Sequence, residues 1–437
     1  MMRSMYSAVS GLRAQQAKMD VIGNNIANVN TVGFRGSRVT FQDVFSQTLR
    51  GASSPDPLTG RGGTNPMQVG LGVSVGAIDL STARGSLQST ESPTDLAIEG
   101  DGFFIAKGGT SQPYQFTRAG NFGIDKMGNL VTANGQCVYG WQDFGGKANP
   151  DGTYTFDTSK DIEPINLYSD THNNNKKMIA SRATTMQNFV GNLDATLPVI
   201  AATGTKAQAI VPMTAYDSLG NEIKFNVEFR KTAATAAGTT WTWSIPAGSG
   251  VTGGAAGTID FDGNGQIILT GNIKPQITVT PSATSGTGMF PVTLDFTKLN
   301  GYAADNSIVS TGGDGYPTGD LVTFNVGSDG MITGVYSNGK QQPLGLLALA
   351  SFNNPAGLQK VGDNMYLPTN NSGEFKMAVK AGTGSVGMLD PGALEMSNVD
   401  LSKEFTEMIV TQRAFQANSR IMTSVDEMLQ DVVSMKR

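Results

Sequence analysis

With 437 residues, the chain is long enough for two to four domains. Only 15% of them are charged, 55 are glycine and the net charge is −5, a composition that fits turn-rich β-domains, excludes a high-charge disordered chain and leaves no basic surface for nucleic acid. One cysteine, Cys137, excludes an internal disulfide framework, and one histidine, His172, excludes histidine-based catalysis and His-rich metal sites.

The N-terminal segment reads as a helix to about residue 27. Met5, Val9, Leu12, Met19, Ile22, Ile26 and Val29 recur at intervals of 4, 3, 7, 3, 4 and 3, the spacing of a coiled-coil face. Arg13, Lys18 and Asp20 interrupt it, so it is not a secretory signal, and no run of 18 apolar residues predicts a membrane span. The asparagines from Asn24 to Asn30 and then Gly33 mark the helix end as a turn. Residues 31–71, with Pro55, Pro57, Pro66 and five glycines from 51 to 70, are expected to form an irregular extended linker in which only 41–49 has the makings of a short helix.

Strands are expected from residue 72. Three segments, 124–130, 261–267 and 326–332, each place Asp, Asn or Gly between apolar residues and predict tight β-hairpins. Trp241 and Trp243 alternate along a strand and are read as one buried face. The polar stretch 167–180, with Asn173 to Asn175, reads as a crossing between domains. The predicted division is a terminal helical domain from 1–30 and 393–437, the linker 31–71, a β-domain from 72–166 and 313–392, and a second β-domain over 167–312.

The last segment is again a helix, capped by Asn398 or Asp400. Leu401, Met408, Phe415, Met422 and Leu429 stand seven apart. A second stripe of Val410, Ala414, Ala417, Ile421, Val425, Met428 and Val432 lies about 200° around the helix. A helix apolar on two faces needs partners on both. Met5, Val9, Leu12, Met19, Ile22, Ile26, Leu401, Met408, Phe415, Ala417, Ile421, Met422, Val425, Met428 and Leu429 are therefore the candidate subunit-packing residues.

No motif predicts a catalytic site, a cofactor or a metal. Asp260, Asp262, Asn264 and Gly265 match the start of a calcium loop, but its twelfth place is Gly271 instead of glutamate. Gly70, Gly72 and Gly76 lack the Lys-Ser or Lys-Thr of a phosphate loop. The expectation is a structural protein and not an enzyme.

The run Ser4-Met5-Tyr6-Ser7-Ala8-Val9-Ser10-Gly11-Leu12, continued by residues 19–34, closely resembles the bacterial flagellar rod and hook proteins. Residues 397–405 and 412–418 are similar to the other end of that family, while 94–104 and 116–122 resemble its shared β-domain. Ala215-Tyr216-Asp217-Ser218-Leu219-Gly220-Asn221 resembles the outer domain of the hook type. The fold class this implies is mixed: a coiled-coil-like domain from both chain ends lining a channel, a discontinuous inner β-domain and an inserted, barrel-like outer β-domain. The function implied is a self-assembling subunit of a curved tube that transmits motor torque. The resemblance further implies a rod protein at the proximal end, a junction protein and a cap at the distal end, uncleaved passage through the flagellar type III export apparatus, and an extracellular position without membrane insertion. A rod-type stiff shaft protein and, more distantly, a β-rich adhesin remain alternatives at this point.

Overall fold

A computed structural model describes residues 2–435 except 55–61, 110, 144–153, 170–175, 201–205, 270–272 and 283–284. His172, Asn173 to Asn175, Gly271 and the two prolines Pro55 and Pro57 lie outside the described residues. The chain forms two compact units. The first comprises Met1–Leu167, Asn325–Thr333 and Pro343–Arg437, the second Tyr168–Phe324 and Gly334–Gln342. The second unit thus runs on to Phe324 and takes in a later loop, whereas the sequence reading resumed the first β-domain at 313.

In the first unit α1 (Met2–Ala27) and α2 (Leu401–Ser434) pack together. The chain leaving α1 enters a long two-stranded ribbon in place of an irregular linker. Strand β1 (Ser37–Asp43) is followed by β2 (Ser46–Arg50), and β3 (Met67–Gly70) returns into β4 (Val73–Leu80). β1 pairs antiparallel with β4 from Ser37↔Leu80 to Asp43↔Val73, and β2 with β3 from Ser46↔Gly70 to Arg50↔Met67. The stretch 41–49, the one place in the linker with the makings of a short helix, runs from β1 into β2 instead. Val39, Thr40, Phe41, Val44 and Phe45 are β-branched or aromatic, and cross-strand pairing decides their conformation.

The β-domain of this unit is built around strand Phe103–Lys107, which pairs with Gln115–Thr117, Cys137–Trp141 and Gln341–Ala350. Its core holds edge-to-face aromatic pairs, Phe116 with Phe352 at 4.8 Å and Phe103 with Tyr366 at 5.8 Å.

The second unit contains a four-stranded antiparallel sheet of Ala209–Tyr216, Glu222–Thr235, Gly238–Ser244 and Ala256–Asp262. A five-stranded sheet includes Met186–Asn192 lying parallel to Phe290–Asn300. Both sheets contribute to one core. Trp243 and Phe229 of one lie 5.6 and 5.9 Å from Phe296 of the other, and Trp241 and Trp243 are wholly buried. No strand pair closes these sheets into a barrel among the described residues.

The three predicted hairpins are present. In each, the turn aspartate accepts backbone N–H groups: Asp125 from Asn129, Asp262 from Asn264 and Gln266, Asp329 from Met331. Gly128, Gly265 and Gly330 supply the positive φ, between 76° and 86°.

Carboxylates used in this way tie the second unit to pH. Burial raises the pKa of Asp217, but hydrogen bonds from Asn221, Thr287 and Leu219 outweigh it and hold the group below its ordinary value. The same balance holds for Asp295, bonded to Thr297 and paired with Lys274, and for Asp314, bonded to Thr185 and Met186. A folded pKa below the unfolded value of about 3.9 gives stability that is present above that value and lost as pH falls through the folded one. The second unit should therefore lose stability steadily below about pH 4, measured by denaturant unfolding at stepped pH. Asp217→Asn should flatten the slope, and a slope identical to wild type would remove Asp217 from the balance.

Candidate assembly interface

Helix α2 starts where Asp400 accepts hydrogen bonds from Ser402 and Lys403 N–H at 2.9 and 3.3 Å, satisfying two of the helix's orphan donors. Asn398, the other candidate cap, instead accepts from Gly36 N–H at 2.8 Å and donates to the Ala83 carbonyl at 2.8 Å. It therefore fastens the ribbon base beside the helix start.

The two helices run antiparallel. Asn25 donates to Glu404 at 3.3 Å, Lys18 pairs with Glu407 at 3.1 Å, and Gly11 faces Asn418 so closely that a Cβ there would sit 2.7 Å from its Nδ2. The seam centre on α2 is the heptad row Glu404, Thr411, Asn418 and Val425. Three of the four are polar, so a search for apolar stripes passes them over. Polar residues at such positions fix register at some cost in stability. Burial pushes the Glu404 carboxyl up, against the hydrogen bond from Asn25 and with the neighbouring charge of Glu407.

On α1, Ile22 is buried, and Met5, Val9, Leu12, Met19 and Ile26 are half-buried. On α2, Met408, Met422 and Leu429 are half-buried beside the seam, while Leu401 and Phe415 are exposed. Of the second stripe, Val410, Ala417, Ile421, Met428 and Val432 are exposed, Ile421 at 44%. Val425 departs from that stripe. It is only 3% exposed and stands seven residues after Asn418, on the side that meets α1.

Gly11 thus has a packing reason, and Gly23 has none, since nothing lies within 4 Å of a Cβ built there. Gly23→Ala should stabilise the helix pair by roughly 1 kcal/mol, read as a higher denaturation midpoint of the soluble chain. An unchanged or lower midpoint would mean that α1 is not formed before assembly.

The ribbon adds a second uncovered surface. Phe45 is 62% exposed, and Val44, Leu49, Met67, Val69 and Ile78 are also open to solvent. A two-stranded ribbon is marginal alone in water. Midway along, where Val73 pairs with Asp43, it is held by α1: Ser10 accepts from Val73 N–H at 3.2 Å.

Both chain ends are anchored to the β-domain by a buried ion cluster that has no signature in residue spacing. Glu395, just ahead of α2, pairs with Arg35 at 2.7 Å and with Arg118 at 3.1 Å, all three side chains being at most 6% exposed. Glu395 also accepts from Gly85 N–H at 3.1 Å, and its carbonyl accepts from Gly33 N–H at 2.7 Å. Arg35 donates to the Ala83 carbonyl, and Arg118 to the Gly100 carbonyl at 2.8 Å. Burial lowers the pKa of the Arg118 guanidinium, with Glu395 opposing and Arg35 reinforcing the shift.

No group of three His, Cys, Asp or Glu side chains stands together among the described residues. No described helix is long and apolar enough to cross a membrane.

The helical chain ends pack together and leave apolar faces uncovered, and four models of flagellar axial protein families match the chain. Residues 5–35 match the flagella basal body rod protein family and 390–435 the flagellar basal body rod FlgEFG protein C-terminal family. Residues 97–173 match the flagellar hook protein FlgE/F/G D1 domain and 192–316 the flagellar basal body protein FlaE D2 domain. The chain is 38% identical to the flagellar hook protein FlgE of Borreliella burgdorferi and 36% identical to that of Treponema pallidum, with 100% of each chain covered in both cases. It is also 32% identical to the flagellar basal-body rod protein FlgG of Bacillus subtilis, again over 100% of both chains. The chain belongs to the flagellar hook protein FlgE family and is a structural subunit of the flagellar hook.

Proposed function

We propose that this chain polymerises into a curved tube that works as a universal joint, passing motor torque to the filament. The observation that carries this reading is the uncovered side of α2. Val410, Ala417, Ile421, Met428 and Val432 form an apolar row that α1 leaves exposed, and such a row along a two-faced helix is covered by neighbouring copies. In this reading the 15 packing residues named from the sequence divide between the seam within one subunit and the contacts between subunits. The terminal helices line the central channel and the ribbon fills the space between subunits. Weak, wet contacts between low-charge outer surfaces exchange as the tube bends, while the helical layer supplies cohesion.

The neighbours in this reading are a rod protein at the proximal end and a junction protein and cap at the distal end. Subunits arrive unfolded and uncleaved through the type III export apparatus, and the polymer stands outside the cell. The similarity to the Bacillus subtilis rod protein FlgG favours one second reading, a straight and stiff shaft. Electron microscopy of polymers grown from the full chain separates the two. Curved tubes are expected; straight rods would favour the shaft, and no polymer at any concentration would overturn both.

A further inference from the structure

The ion cluster leaves one of its own donors unused. Arg118 is 4% exposed, and its two Nη atoms reach Glu395 and the Gly100 carbonyl. Its Nε is buried with no hydrogen-bond partner in the protein. A buried N–H on a cation is costly to leave unpaired.

Arg118 also lines a small cavity of about 30 Å³, together with Arg35, Ser81, Thr82, Asp101 and Phe103. That space is more than the roughly 10–15 Å³ a single water needs, and a cavity with several polar walls is wet, where an apolar one stays dry. Two guanidinium groups would by themselves favour an anion. Glu395 neutralises part of that charge from inside the cluster, and the Asp101 carboxylate on the cavity wall repels an anion further.

We propose that this cavity is a built site for a single structural water, which accepts from Arg118 Nε and donates to Thr82 and Asp101. The water completes the cluster at the point where the ribbon base, Arg35 and the β-domain meet, and couples all three through one network.

The test is a high-resolution structure of the full chain, determined once without halide and once in sodium bromide with data at the bromine absorption edge. One density peak within hydrogen-bonding distance of Arg118 Nε in both conditions, with no anomalous signal, is expected. An anomalous peak at the site would make it a halide site and overturn the assignment. So would a cavity without density, or one closed by a side chain that reaches Nε directly.

Discussion

Glu395→Ala is expected to destabilise the first unit by about 3–5 kcal/mol, because it leaves the guanidinium groups of Arg35 and Arg118 buried without their counter-charge. The same change removes the acceptor of the Gly85 N–H. Denaturant unfolding of the soluble chain measures it, and the transition of the second unit serves as an internal control because no cluster residue belongs to that unit. Glu395→Gln keeps an acceptor and loses the charge, so it should fall between wild type and alanine. A loss below about 1 kcal/mol for alanine, the range of exposed pairs, would mean that water reaches both arginines and the cluster holds nothing in place.

Charge placed on the uncovered row of α2 should have the second largest effect, and on assembly alone. Ala417 and Ile421 are exposed in the single subunit, so Ala417→Asp and Ile421→Asp should leave its melting curve within about 0.5 kcal/mol of wild type. In the polymer each would bury an unpaired carboxylate at a cost of several kcal/mol. Since about 1.4 kcal/mol is a factor of ten, polymer yield should fall by more than a hundredfold. Val425→Asp is the contrasting variant. Val425 is buried within the subunit, so its replacement should unfold the helix pair before assembly is reached. Normal polymer from both Ala417→Asp and Ile421→Asp would show that this row faces solvent in the tube.

Local chemistry was legible in the sequence and long-range chemistry was not. Heptad spacing marked both helices, and the Asp-to-Gly turns marked the hairpins, because each depends on residues within a few positions of one another. Trp241 and Trp243 declared a buried face through the period of a strand. The ribbon was hidden because glycine and proline around its tip read as linker, while the partner that makes 37–50 a strand lies at 67–80. The centre of the seam left no apolar signal for a related reason. It holds Glu404, which accepts from Asn25; Thr411, which donates to the Glu407 carbonyl of its own helix; and Asn418, which faces the bare backbone of Gly11. The pairing of Arg35 and Arg118 with Glu395 joins residues hundreds of positions apart, and only the fold brings them together.

The bond between Asn25 and Glu404 spans 379 residues, and that separation sets an order of events. Closing a loop of that length in an unfolded chain costs about 5 kcal/mol of entropy before any seam contact is returned. The β-units must therefore form first and bring the two ends near each other. A chain that emerges N-terminus first presents α1 while its mate is still to come. A chain cut short near its end has neither the seam nor the apolar row beyond it. In the proposed assembly the surface that joins one copy to the next is thus completed last, so that only a finished and folded chain would be added to the polymer.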